Sequence, residues 1–132
     1  MRATMMDYPL TLDHVLERAG KLFPDTEIVS RCPDKSVHRY RPLDFSVMSR
    51  APAPALTRAG LARGDRVATL MWNNSAHLEA YFGVPCAGGV VHTLNLRLPP
   101  ADLTYIVNHA KPRILIVDDV LLPLYEQFRK DV

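Results

Sequence analysis

Apolar residues recur along the chain with two periods, and the changes of period mark its elements. Leu12, Val15, Leu16, Ala19, Leu22 and Phe23 fall at the spacing of one helix face. Thr11 is placed to cap that helix, Asp13 lies in its first turn, and Pro24 stops the run. Two short strands, 27–31 and 37–41, follow around the turn-rich Pro33-Asp34-Lys35-Ser36 and read as a hairpin. Phe45, Met48, Pro52, Ala55, Leu56 and Ala59 then return to helical spacing, with Gly60 just past the helix end. Pro52 and Pro54 lie inside this run, and an interior proline costs about 3 kcal/mol through a lost donor and a clash with the preceding turn. The expectation is a helix broken near Arg50 and resumed from about Ala53.

After the Gly64-Asp65 turn the pattern is cleaner. A strand is expected at 66–71, followed by turn and capping groups at Asn73 to Ser75. The next helix has Leu78, Tyr81, Phe82 and Pro85 as its expected apolar face, with a kink at Pro85. Gly88-Gly89 precedes a strand at 90–94. Pro99-Pro100 opens a helix with Leu103, Ile106, Val107 and Ala110 inward, since proline is tolerated in the first turn. A buried-type strand at 113–117 leads to Asp118-Asp119, expected to cap a last helix with Leu121, Leu124, Tyr125 and Phe128 on one face. Alternation of apolar strands with helices predicts an α/β fold. Specifically, it predicts the N-terminal part of a doubly wound, mostly parallel sheet with helices on both faces, preceded by a helix and a short hairpin. The chain divides into 1–60 (helix, hairpin, broken helix) and 61–132 (a βαβαβα half-sheet).

Composition narrows the classes. Sixteen Lys and Arg against 14 Asp and Glu, without a basic cluster, leave no footprint for nucleic acid. No stretch reaches the roughly 18 apolar residues of a membrane span. The opening MRATMMDYPL is interrupted by Asp7 and Pro9 and does not read as a signal peptide, so a cytoplasmic location is expected. Cys32 and Cys86 belong to no CxxC pair, so neither a structural zinc site nor a disulfide framework is expected. Cys86, in an apolar run, reads as a buried free thiol.

Candidate chemistry is sparse. No GxGxxG or GxxxxGK[ST] loop occurs, and Gly83, Gly88 and Gly89 read as aids to a tight helix exit and close packing. His14, His38, His77, His92 and His109 show no metal-ligand spacing. His77 reads as a solvated surface residue, and His92 as a packed, hydrogen-bonded one. No serine sits in a GxSxG elbow. Folds of this class place ligands at the carboxyl ends of strands, here near Trp72-Asn73, Asn95 and Asp118.

The stretch GLARGDRVATLMWNNSAHLEAYFGVPCAGGVVHTLNLRL, followed by PPADLTYIVNHAKPRILIVDD, resembles the adenylate-forming acyl-CoA synthetase superfamily of AMP-binding enzymes. The opening YPLTLDHVLERAGKLFPDTEIVS and the wording HLEAYFG and HTLNLRL resemble its medium- and long-chain fatty-acid CoA ligase branch. The resemblance implies ATP-dependent acyl-adenylate formation, then thioester formation with CoA, with Mg²⁺ assisting. It also implies that the phosphate loop, the adenine- and ribose-binding motifs and the lysine-bearing C-terminal domain lie outside these 132 residues. No catalytic residue carries over. Asn95 and Arg97 correspond to the CoA side of the family cleft, and a solvated or ion-paired role for Arg97 is the simpler alternative. ATP, CoA and fatty acid are thus partners of a complete enzyme, and none is expected to bind this chain tightly. Pro52 and Pro54 depart from the family's continuous helix, and with the end at Val132 they suggest a truncated or decaying gene product, or a fragment of a longer one. The expectation is an N-terminal piece, inactive in isolation and prone to self-association. Its rivals are a module docking on a full-length ligase and a small flavodoxin-like nucleotide binder.

Overall fold

The computed structural model describes residues 7–9, 11–32 and 34–132. Residues 1–6 and Leu10, part of the stretch read for a leader, and Pro33 of the hairpin turn lie outside the described residues. In chain order the elements are α1 (Leu12–Leu22), β1 (Ile28–Arg31), β2 (Val37–Tyr40), α2 (Pro42–Arg50), α3 (Pro52–Arg58), β3 (Arg66–Leu70), α4 (Ser75–Cys86), β4 (Val90–Thr93), α5 (Pro100–Ala110), β5 (Ile114–Val117) and the one-turn α6 (Leu122–Tyr125). A 3₁₀ turn stands on either side of α6.

β1 and β2 pair antiparallel, from Ile28 opposite Tyr40 to Arg31 opposite Val37. β3 is the middle of a parallel sheet ordered β4-β3-β5, with Val67 opposite both Val91 and Ile114. Side chains alternate across a strand, and each face meets helices. Val67, Val91, Ile114 and Ile116 pack with Leu56, Leu61 and Val84 on the α3–α4 side. Ala68, Leu70, Leu115 and Val117 pack with Leu103, Val107, Leu121 and Phe128 on the other. The doubly wound half-sheet expected from the pattern is therefore present. A third cluster, Leu16, Tyr40 and Phe45 with Leu78 and Phe82, joins α1, the hairpin and α2 to α4.

The helix break falls at Ala51, one residue from its expected place. Starting α3 at Pro52 puts Pro52 and Pro54 in its first turn, where backbone N–H groups have no intrahelical acceptor. α3 ends in a Schellman closure. Leu61 N donates to Leu56 O and Gly60 N to Thr57 O, both at 3.0 Å, with Gly60 left-handed at φ 86°.

Four expectations are corrected. Thr11 stands at the start of α1, but its side chain makes no capping bond there, and of the expected apolar face only Leu16 is buried. The buried stripe of α4 is His77, Ala80, Gly83 and Val84, not Leu78, Tyr81, Phe82 and Pro85. This helix is wedged between the sheet and α2, so its small residues face the tightest contacts. Pro85 lies in its last turn. The last helix is not continuous. Pro123 fits only a first turn, so a 3₁₀ turn precedes it and α6 lasts four residues, although Leu121, Leu124, Tyr125 and Phe128 do all reach the core.

Gly83 sets the distance between α4 and α2. A Cβ there would stand 2.5 Å from the Ser49 carbonyl oxygen, whereas at Gly20 in α1 it would meet nothing within 4 Å. Gly83→Ala should therefore lower stability by about 2 kcal/mol or more through overpacking. Gly20→Ala should raise it by about 0.5–1 kcal/mol by removing backbone freedom from a helix interior. Urea unfolding of the two variants measures both signs.

Candidate functional site

The carboxyl ends of the strands are tied to the start of α4 by a chain of polar contacts. Asn74 has an extended backbone, as an N-cap requires, and its Oδ1 accepts from His77 N at 2.9 Å. The Asp118 carboxylate, beyond the end of β5, accepts from Trp72 N at 2.8 Å and from Asn74 Nδ2 at 3.3 Å. From the hairpin, Ser30 Oγ accepts from Ser75 N at 2.9 Å. Asp118 was expected to cap the last helix. It spans two strand ends instead, while Asp119 Oδ1 accepts from the neighbouring Val120 N.

Two clefts flank this junction. One, of about 240 Å³, lies at the ends of β3 and β4 and is lined by Trp72, Asn73, His77, Tyr81, Asn95 and Arg97 among others. The other, of about 280 Å³, lies between the hairpin and α4, with Ser30, Arg31, Tyr40 and Leu78 in its wall. The structure thus brings Asn95 and Arg97 together with Trp72-Asn73 in one cleft. Both are exposed, and Asn95 Oδ1 accepts from Arg97 N at 3.0 Å, which turns the backbone there. Asp118 acts behind the cleft wall through Trp72.

His77 is the residue that sequence reasoning misplaced. It is buried at 4% exposure, not solvated. Its Nε2 lies 2.9 Å from Oγ1 of the fully buried Thr69, and its ring stands 4.8 Å from that of Tyr81. Its Nδ1 is buried without a partner. Burial holds the imidazole pKa below its ordinary value, with the Trp72 backbone and the Asp118 carboxylate pulling the other way. The available signal was Asn74: a cap at that position makes His77 the third helical residue, turned toward the strand end. His92 also departs from expectation, because its Nδ1 is buried with no hydrogen-bond partner.

The remaining candidates offer little chemistry. Cys86 is free and partly buried, and burial pushes its thiol pKa up, away from a reactive thiolate. Among the described residues no group of three or more His, Cys, Asp or Glu could hold a metal ion. The glycine segment does not fit ATP phosphates. The space a Cβ would take at Gly83 is filled by Ser49 O, and at Gly89 by Val84 and Leu61. The 240 Å³ cleft has one guanidinium, that of Arg97, and no second Lys or Arg among the residues that line it.

Residues 16–131 match the family described as AMP-binding enzyme. A long-chain-fatty-acid–CoA ligase of Thermus thermophilus is 45% identical over 130 residues, covering 98% of this chain and 24% of that protein. A 3-methylmercaptopropionyl-CoA ligase of Ruegeria lacuscaerulensis is 41% identical over 129 residues, with 98% and 24% covered. Among solved structures, the anthranilate CoA ligase AuaEII in complex with anthranoyl-AMP superposes with a TM-score of 0.82 at 26% identity, over 99% of this chain and 25% of that one. The chain spans about a quarter of the length of these relatives.

Because the folded-state pKa of His77 is depressed, the unfolded chain takes up a proton first as pH falls. Stability is then fully present above the unfolded histidine value of about 6.5 and declines as pH drops below it toward the folded value. Urea unfolding between pH 7.5 and 5.5 should show this loss, and His77→Gln should flatten the slope while lowering stability at pH 7.5. An unchanged slope in the variant would remove His77 as its cause.

Proposed function

The chain belongs to the AMP-binding enzyme family, and from that membership we propose that it forms the N-terminal portion of a fatty-acid CoA ligase. In that reaction a carboxylate oxygen attacks the α-phosphorus of ATP and releases pyrophosphate. The CoA thiol then attacks the acyl carbonyl and releases AMP. Catalysis of this kind depends on positioning and on neutralising phosphate charge, and Mg²⁺ serves the latter in the complete enzyme. The residues of this chain contribute scaffold and one cleft wall. Asn95 and Arg97 border the CoA side, Arg97 by charge and Asn95 by holding the turn that presents it. The observation that carries the reading is the family match over residues 16–131, with a cleft at the strand ends where the fold class binds ligands. Relatives named for fatty and for methylmercapto acids stand at similar identity. The fatty-acid branch is preferred on the HLEAYFG and HTLNLRL segments.

The division at residue 60 belongs to the same proposal: 1–60 as a helical and hairpin flank, 61–132 as the half-sheet. A second reading, docking on a full-length ligase, is favoured by the sheet margins. β4 and β5 are the outer strands among the described residues, and Ile114, Leu115, Ile116 and Val117 are all only partly buried. Co-elution of the chain with a full-length ligase on a sizing column would support it, and separate elution would remove it.

The isolated chain should show no ATP–pyrophosphate exchange with fatty acids of any length, and calorimetric titrations with ATP, AMP and CoA should be flat. Mg²⁺-dependent exchange by the 132-residue chain would overturn the view that phosphate chemistry resides on other parts of the enzyme.

A further inference from the structure

The cleft between the hairpin and α4 is walled by hydrogen-bond donors and by no acid. It holds about 280 Å³, and neither Asp nor Glu is among the residues that line it. Tyr40, in its wall, is 7% exposed, and its Oη is buried without a hydrogen-bond partner among the described residues. His77, in the same lining, has Nδ1 buried and unpartnered in the same way. A buried polar group left unpaired is costly, so the Tyr40 hydroxyl calls for a partner that the described chain does not supply. Burial raises the pKa of this phenol, with Glu79 adding to the effect, and keeps it protonated. Tyr40 is therefore a donor. Ser30 is another, since its Oγ accepts from Ser75 N and retains its own proton to give.

Positive charge reaches the cleft from two sources. α4 is twelve residues long, and its N-terminus opens there at Asn74 and Ser75, where the helix dipole is positive. Arg31 is exposed, lines the cleft and belongs to no ion pair among the described residues. One guanidinium beside one helix terminus, which carries about half a charge, suits a single negative charge better than two. Ile28 and Leu78 make the wall partly apolar, which suits an organic ion better than an inorganic one. The volume is at the lower limit of ligand pockets, with room for one ring and not for a nucleotide.

We propose that this cleft binds a small aromatic monoanion, a carboxylate or sulfonate on a single ring. The anionic group lies toward Arg31 and Ser75, the ring lies against Ile28 and Leu78, and Tyr40 Oη and Ser30 Oγ donate to the ligand. Ser30, Arg31, Tyr40 and Leu78 line no part of the cleft that holds Asn95 and Arg97, so the proposal stands apart from the ligase reading.

The test is titration of the 132-residue chain with p-toluenesulfonate and p-toluate, followed by amide chemical shifts. Both should bind saturably and shift residues 28–31 and 73–78. The neutral p-toluenesulfonamide and inorganic sulfate should each bind at least about tenfold more weakly, the first for want of charge and the second for want of a ring. Arg31→Gln, at an exposed position, should weaken toluenesulfonate about tenfold with the fold unchanged by circular dichroism. Tyr40→Phe should weaken it several-fold, yet urea unfolding should find that variant as stable as the parent or more so, because the lost hydroxyl was buried and unpaired. A purely structural Tyr40 would not separate the two readouts. Absence of saturable binding, equal binding of the sulfonamide, shifts centred on residues 93–97, or unchanged affinity in both variants would each overturn the proposal.

Discussion

In β3, Val67, Ala68, Thr69 and Leu70 are each shielded from water, so no side of the strand can face solvent. Because its side chains alternate, one helical layer cannot cover it. α3 and α4 must lie over Val67 and Thr69, and α5 with the C-terminal turns over Ala68 and Leu70. Parallel neighbours follow from the same need. A connection that covers a face must cross it, so β4 and β5 arrive by helical crossovers and take the same direction as β3. At about 25 cal/mol per Å² of apolar area removed from water, this two-sided burial is the main favourable contribution available to a chain of this size.

One polar residue sits in that buried row, and its position organises the strand ends. The Thr69 hydroxyl would be costly to bury alone, and His77 Nε2 supplies its partner from the first turn of α4. That contact fixes the rotation of α4. The rotation in turn sets the small residues Ala80 and Gly83 inward and leaves Leu78 and Phe82 for the hairpin cluster. Asp118 then holds the loop before α4 from the β5 side, through Trp72 N and Asn74 Nδ2, and Ser30 holds it from the hairpin side. Three separate stretches of sequence therefore converge on residues 72–77, and both clefts open beside them. The depressed pKa of the imidazole is a consequence of this packing, since burial is its largest cause.

Element type and order were legible in the sequence because they depend on period, and the periods here are long and clean from residue 60 onward. All five strands and the helix break were located to within a residue or two. Which side of a helix faces the core was less legible. On α4 the spacing picks out the large apolar residues as its face, yet between two close-packed layers the inward positions must be small. On α1 the helical spacing identifies the apolar arc but not its surroundings, and of that arc only Leu16 is buried. Leu121, Leu124, Tyr125 and Phe128 keep helical spacing across Pro123, and a chain of 3₁₀ and α turns preserves that spacing without being one helix. At the site, Trp72, Asn73 and Asn95, all named by the strand-end rule, line one cleft. The rule could not reveal the Thr69–His77 contact, which joins residues of unremarkable type whose pairing exists only in three dimensions.

The two prolines between α2 and α3 show how a local rule can hold while the inference drawn from it fails. Proline inside a helix is costly, and a chain with Pro52 and Pro54 cannot keep the uninterrupted helix that its resemblance implied. Yet the cost applies only where a backbone donor is needed. Restarting the helix at Pro52 makes Pro52 and Pro54 its first and third residues, and neither position has an acceptor to lose. What remains is the mild clash of proline with a preceding helical residue, borne by Ala51 at φ −59°, ψ −36° and by Ala53. Leu56 still reaches the sheet, and Gly60 still closes the helix. The prolines therefore cost the fold far less than two interior prolines would. The contact that sets the α2–α4 spacing is made one turn earlier, at Ser49 against Gly83, before the break begins.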